Sequence, residues 1–499
     1  MELIILGKYI ISFDQGTTSS RVIVFDERAN IIYSKSKEFE QLYPSNGYVE
    51  HNPMVIYEDC VDLITHALKG INVDYSEILG LGITNQRETT VLWDKRTGLP
   101  VYNAICWQSG QSASICEDLK NKGLETLIEK KTGLIINPYF SASKIKWILD
   151  NVAGVKEIMD SGNLLFGTID SWLIYKLTGN HYTDITNASR TMLFNIHTLK
   201  WDKDLLDIFG INESILPTVL DCDSSYGIIK EERIKNILDL EICGVAGDQE
   251  ASLIGHTCFS EHELKITYGT GSFMLLNIGD KPKKSQSGLL TTIGYKIGNN
   301  LAYALEGSVF IAGAAFKFIR DNLELVKTLS DSEFESCKSN GTIFVPALTG
   351  LGAPYWLSEA RGAFLGLTRA TTKSDLAFAT ILGVAYLNYD VFNVMERDLG
   401  SKIKSVSADG GASLNKILMQ TQSDLFGCVI NSLSISEATS LGVYYLVGLN
   451  KGLFESLDDI KSHYKLKRSY KPLDNKYEID HDKWHLAIKA VEVFSGEAK

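Results

Sequence analysis

Residues 14–21 read DQGTTSSR, set between the apolar runs ISF and VIVF. One carboxylate, one glycine, four hydroxyls and an arginine fit an ordinary hairpin turn, and they equally fit a phosphate cradle. Two further glycine–hydroxyl loops follow strand-like runs: YGTGSF at 268–273 and ADGGASLN at 408–415. Glycine lets the backbone approach a ligand, while amides and hydroxyls donate to an anion. Donors to a charged oxygen contribute about 1.5–3 kcal/mol each, so several loops together can hold a triphosphate. There is no G-x-x-x-x-G-K-[ST] and no G-x-G-x-x-G opening a helix, which disfavours a P-loop or dinucleotide fold.

Charged residues in apolar surroundings form the second constellation. GITNQRETTVLW carries Arg87 and Glu88 between two strand-like runs, and ICGVAGDQEASLIG carries Asp248 and Gln249 after a small-residue strand. The plain readings are an exposed hairpin tip for the first, and a helix N-cap at Asp248 with Glu250 in the first turn for the second. A carboxylate at the end of a strand is also where open α/β sheets place catalytic groups. Asp14 and Asp248 could then divide two tasks, one holding a metal through water and the other taking a proton from a hydroxyl. With phosphate donors, those are the parts phosphoryl transfer needs. The histidines show no metal-ligand spacing, and His256 and His262 are expected to be structural or surface residues.

These residues need a scaffold. A chain of 499 residues exceeds what one hydrophobic core supports, so two domains are expected. A net charge of −12 argues against nucleic acid or an anionic membrane surface as a partner. Eight scattered cysteines without a C-x-x-C pair predict buried thiols in a reducing, cytoplasmic setting. No apolar run approaches the roughly 18–20 residues of a membrane span. The apolar start, MELIILGKYIISF, lacks a basic leader and a cleavage motif.

Strands and helices alternate, predicting an α/β architecture. ISF, VIVF and NIIYSKSKEFE predict a meander, and residues 53–69 a helix capped by Asn52 and closed by Gly70. A longer helix is predicted from a cap at Ser374 to a stop at Gly400, with Leu376, Ala379, Leu382, Tyr386, Tyr389 and Phe392 on a wide apolar face. The second half opens, like the first, on strand–turn–strand, a coarse internal echo, and the domain boundary is expected near residues 250–265.

Longer blocks carry a family resemblance. DQGTTSSR, GYVEHNP, GITNQRETT, YNAICWQ, LLFGTIDSWLIYKLTG, TDITNASRTMLFNIHTLKWD, GVAGDQEA, TYGTGSFML and ALEGSVFIAGA, with YFSASKIKWILDN and GLGAPYWLSEARGAFLGLTRA, resemble the glycerol kinases of the FGGY carbohydrate kinase family over nearly the whole chain. The resemblance implies two ribonuclease-H-like, actin-type ATPase domains, residues 1–256 and 257–499, with a central cleft. It implies ATP and magnesium as cofactors and glycerol as substrate. By similarity, Arg87, Glu88, Tyr139 and Asp248 bond the hydroxyls, Trp107 and Phe273 wall the carbon skeleton, and Gln249 sits beside it. Asp248 is implied as general base and Asp14, with Asp248, as magnesium anchor. Thr17, Thr18, Ser19 and Arg21 are implied to meet the phosphates, Thr270 and Gly313 the phosphates and ribose, and Gly411 and Asn415 the adenine end. Relatives of this kind form dimers or tetramers, so a homo-oligomer is implied too.

Three departures stand out. Gln111 replaces a usual arginine, either loosening a contact near the cleft or removing a surface charge. Lys317 replaces a glutamine near the nucleotide, and residues 228–243 lack the glycine-rich loop that binds fructose 1,6-bisphosphate in some bacterial relatives. Two rivals share parts of the pattern: a non-metabolic actin-type ATPase, which would not need Arg87, Glu88 and Trp107 together, and a sister sugar kinase.

Overall fold

The computed structural model describes residues 7–328, 341–433, 437–473 and 481–496. The first six residues of the apolar start lie outside them, and from Tyr9 onward that segment is strand. Strands β1 (Tyr9–Gln15) and β2 (Ser19–Asp26) form an antiparallel hairpin that places Asp14 opposite Arg21. β3 (Ile31–Glu38) extends the meander. Helix α1 (Pro53–Gly70) starts as its sequence signals: the Asn52 side chain accepts from Met54 N–H, and Pro53 fills the first turn, where its missing N–H costs nothing. β4 (Ile78–Asn85) and β6 (Glu241–Gly247) run parallel to β1, with β5 (Gly227–Ile228) at the edge, giving the order β5-β6-β4-β1-β2-β3. Between β4 and β6 lie α2 (Ser141–Asn151) and α3 (Ile185–Ser189).

The second half repeats this path. β7 (Glu263–Tyr268), β8 (Ser272–Asn277), β9 (Leu290–Ile297), β10 (Asn300–Val309), β11 (Ser405–Asp409), β12 (Ile430–Leu433) and β13 (Leu466–Tyr470) are ordered β9-β10-β8-β7-β11-β12-β13. The run β10-β8-β7-β11-β12 matches β3-β2-β1-β4-β6 in order and in each parallel or antiparallel sense. The internal echo is thus a shared topology, the ribonuclease-H-like sheet used twice.

Helices fix one half against the other. α4 (Asp248–Gly255) follows β6, and the long α5 (Lys373–Leu399) crosses the second half. After α6 (Lys416–Phe426), α7 (Ala438–Asn450) reaches back onto the first sheet, and α8 (His481–Ser495) comes last. A Cβ on Gly82 would sit 2.8 Å from Val443, and one on Gly244 2.9 Å from Leu446, so small residues in β4 and β6 admit α7. One continuous core accordingly joins Ile10, Ile23 and Phe25 of the first sheet to Val443 and Tyr444. Ile11, Phe13 and Val22, on the opposite face, pack with α1.

Some local expectations change. The cap of α5 is Thr372, whose side chain and that of Asp375 bond each other's backbone, so the helix starts before Ser374. Its end at Gly400, φ 76°, is as expected. The helix is buried nearly all round and not on one face, because it packs against both α6 and strands β8 and β10. It is also long and apolar enough to cross a membrane, although 89% of its most apolar window is packed inside the protein.

Where α4 and α7 cross, a Cβ on Gly442 would collide with the Ala251 carbonyl oxygen, and one on Gly255 with the Ala438 carbonyl oxygen. Overpacking such a contact costs about 1–3 kcal/mol. Gly442→Ala is expected to lower unfolding free energy by that amount in urea titration, and an unchanged midpoint would show that the crossing yields.

Candidate active site

Three parallel strands of the first sheet end together, and each delivers a polar group at its C-terminal edge. Asp14 is one residue short of the end of β1, Arg87 and Glu88 follow β4, and Asp248 follows β6 directly. Asp248 is the first residue of α4, not its cap, since Gly247 takes the cap position; the Asp248 carboxylate accepts from Gln249 N–H. Arg87 and Glu88 are no exposed hairpin tip, being 2% and 1% accessible. Glu88 adopts φ 60°, a costly conformation for a non-glycine residue. It is held there by Thr90 and Ser141 hydroxyls, which both donate to its carbonyl at 3.0 Å.

Arg87 is the hub. Its Nε lies 3.3 Å from Asp248, and its Nη1 donates to Glu250 at 2.8 Å and to Glu306 of β10 at 2.6 Å. Arg190, just after α3, donates from Nε to Glu88 at 2.7 Å and from Nη2 to Glu306 at 2.9 Å. Burial raises the Glu306 carboxyl, but the two guanidinium groups overcome this and hold it at about 2. Glu250 has less compensation and is pushed up to about 7 by burial. Glu250 Oε2 and Arg190 Nη1 are buried without hydrogen-bond partners among the described residues.

The half-buried Asp14 carboxyl is pushed up to about 7, first by burial and then by the charges of Asp248 and Glu437. Burial also raises Asp248, against the lowering pull of Arg87 and Lys265. Asp248 thus lies close enough to raise Asp14, and two carboxylates so placed are hard oxygen donors suited to a divalent cation.

Aromatic side chains close one flank. Trp107 donates from Nε1 to Thr17 Oγ1 at 2.9 Å and packs edge-on against Tyr139 at 5.4 Å. Trp107 therefore touches the turn of the β1–β2 hairpin. Lys144 of α2 donates to the carbonyls of Pro138, Tyr139 and Phe140, fixing the segment that presents Tyr139. Gln249 accepts from Lys265 of β7 at 2.5 Å. Phe273 stands opposite Ser308, on the β10 face that carries Glu306 one row away. Thr17 and Ser19 are half-buried and Thr18 is exposed. Arg21 is already paired with Glu437 at 2.5 Å, bridging β2 to the start of α7.

The remaining residues gather at the corresponding edge of the second sheet. Gly313 N–H donates to Gly269 O at 3.0 Å, and Ala314 N–H to Thr270 O. A Cβ on Gly410 would strike the Tyr268 carbonyl, so the 268–273 and 408–415 loops are in close contact. Gly411 has open space around it, and Asn415 caps α6 by accepting from Leu418 N–H. Gln111 is buried and bonds Glu50 and Ser109, so it replaces no surface charge, and Lys317 is exposed.

Residues 9–255 match the N-terminal domain of the FGGY family of carbohydrate kinases, and residues 264–450 match its C-terminal domain. The chain belongs to this family. It is 48% identical over 491 residues to "Glycerol kinase 1" of Clostridium tetani, covering 97% of this chain and 98% of that one. It is 47% identical over 496 residues to a glycerol kinase of Thermus thermophilus, covering 98% and 100%. A crystal structure of Plasmodium falciparum glycerol kinase with ADP superposes with a TM-score of 0.92 at 37% identity, covering 97% and 98%. A gluconate kinase from Lactobacillus acidophilus, at 24% identity and TM-score 0.85 over 98% of each chain, shares the fold.

Sequence reasoning alone did not single out Arg190, Glu306, Lys265 or Lys144 in this FGGY kinase. Their only signal is an isolated charge within an apolar strand or helix, as in ALEGSVF and LKITY. His256 proves structural: it is buried, with Nε2 3.5 Å from Asp409.

Two outcomes follow. Arg190→Ala leaves Glu88 and Glu306 short of a partner and should cost about 3–5 kcal/mol in equilibrium unfolding. Asp14 keeps its proton in the folded chain up to about pH 7, whereas an unfolded aspartate releases it near pH 4. Its contribution to stability therefore falls as pH rises between those values, and Asp14→Asn should remove that share of the fall. Melting curves should show the variant gaining on the parent at pH 8 but not at pH 4, and parallel profiles would refute the assignment.

Proposed function

We propose that this FGGY kinase transfers the γ-phosphoryl group of ATP to glycerol, giving ADP and sn-glycerol 3-phosphate. What carries the reading is the polar wall of Arg87, Glu88 and Asp248 at two strand ends, beside Asp14 at a third, in a chain about half identical to glycerol kinases from end to end. Glycerol offers little apolar surface, so its recognition must come from hydrogen bonds, and a buried charge left unpaired penalises wrong substrates. Arg87, Glu88 and Tyr139 hold the hydroxyls, Trp107 and Phe273 flank the carbons, and Gln249 lies beside them. Asp248 accepts the proton of the attacking hydroxyl as its oxygen bonds to the γ-phosphorus and the bond to the β-phosphate oxygen breaks. Arg87 beside Asp248 favours the ionised carboxylate needed for that role.

Thr17, Thr18, Ser19 and Arg21 face the phosphates, Thr270 and Gly313 the phosphates and ribose, and Gly411 and Asn415 the adenine end. Asp14 and Asp248 would hold a magnesium ion, which when bound neutralises phosphate charge. Residues 1–256 and 257–499 act as the two jaws of the cleft. Cytoplasmic residence and a dimeric or tetrameric assembly complete the reading on the strength of the family resemblance.

A coupled assay comparing glycerol, xylulose and gluconate with ATP and magnesium tests the substrate, and turnover favouring either sugar compound would overturn it. Asp248→Asn should lower kcat by about 10²–10⁴-fold, the usual contribution of a positioned base, with near-parental activity refuting the assignment.

A further inference from the structure

A second cluster of ligating side chains lies on the second half, away from the strand ends. It is built from α5, the segment carrying Tyr355, and α8. Asp390 of α5 is buried at 4% accessibility. His481 and His485, one helical turn apart on α8, share a face, and their ring centroids are 4.2 Å apart. One ligand atom from each of Asp390, His481 and His485 lies within 4.8 Å of the other two. His481 Nε2 is 3.1 Å from Asp390 Oδ1.

The surroundings orient this set. Tyr355 Oη donates to Asp390 Oδ2 at 2.7 Å, and Trp484 Nε1 donates to the same oxygen at 2.6 Å. Both bonds fix the carboxylate and leave Oδ1 directed at His481. Tyr386 stacks on Trp484 at 4.9 Å, and Tyr389 meets the His481 ring edge-on at 5.2 Å, restricting its rotation. Outer hydrogen bonds that hold a ligating carboxylate are a regular part of metal sites. His485 is exposed, so the cluster opens to solvent on one side.

We propose that Asp390, His481 and His485 form a binding site for a zinc-class divalent cation that staples α8 to α5. Two imidazoles and one carboxylate are the borderline nitrogen–oxygen set that zinc, cobalt and nickel take, whereas magnesium and calcium demand oxygen ligands throughout. Three protein ligands leave a fourth tetrahedral position for water on the solvent side. The site shares no residue with the proposed magnesium ligands Asp14 and Asp248.

Cobalt titration of the full, tag-free chain after chelator treatment tests the proposal. One equivalent should give the visible bands of tetrahedral Co2+, persist in excess Mg2+ and disappear on adding Zn2+, which should also raise Tm. His485→Ala, at an exposed position, should fold normally and lose the bands. Tyr355→Phe should retain them with affinity lowered about 10–100-fold, the usual effect of removing an outer hydrogen bond. Absent tetrahedral bands in the parent chain, or identical bands in His485→Ala, would overturn the site.

Discussion

Glu306 is the charge on which the two halves meet. It sits in a strand of the second sheet, fully buried, and both of its oxygens are held by arginines from the first half. A lone carboxylate at such depth would be protonated or expelled; paired twice, it stays ionised well below neutral pH. The converse also holds, because Arg87 and Arg190 could not be buried side by side without it. Glu88, Glu250 and Asp248 complete a group of two arginines and four carboxylates, of which the raised Glu250 can hold a proton near neutrality. Such a network offers little net stabilisation over an apolar core, but it fixes guanidinium positions to within hydrogen-bond tolerance.

Helix α4 shows how tightly this arrangement constrains the chain. Within eight residues, Asp248 faces Arg87, Gln249 meets Lys265, Glu250 binds Arg87 and Ser252 reaches Thr267. Ala251 and Gly255 form the crossing with α7, where a Cβ on Gly255 or on Gly442 would strike a carbonyl of the other helix. The proposed base is therefore carried by an element with commitments to both sheets. Packed interiors are not continuously deformable, so a shift of either sheet must be felt at Asp248.

The parts of the fold legible in the sequence are those fixed by local chemistry. Asn52 and Pro53 start α1 because cap geometry involves only neighbouring residues, and Gly400 ends α5 for the same reason. The hairpin at 11–26 and the strand ends bearing Asp14 and Asp248 were likewise visible. What escaped was decided by distant partners. Thr372 outcompetes Ser374 as a cap only because Asp375 reciprocates. Arg87 and Glu88 read as a solvated turn until distant partners supply their counter-charges, Glu306 for Arg87 and Arg190 for Glu88. Lys144 gives no periodic signal at all, since its partners are three carbonyls of one turn.

The pair Asp14 and Asp248 shows why two carboxylates from a repeated scaffold need not be equivalent. Both stand at parallel strand ends of one sheet, and burial raises both. Asp248 also has Arg87 at 3.3 Å and the charge of Lys265, while the arginine opposite Asp14 is committed to Glu437, whose own charge pushes Asp14 further up. Arg87 and Lys265 thus work against the rise that burial imposes on Asp248. Asp14 is left holding its proton up to about pH 7. Separation of two acids by their neighbours, with the fold held constant, is a sufficient physical basis for giving them different tasks.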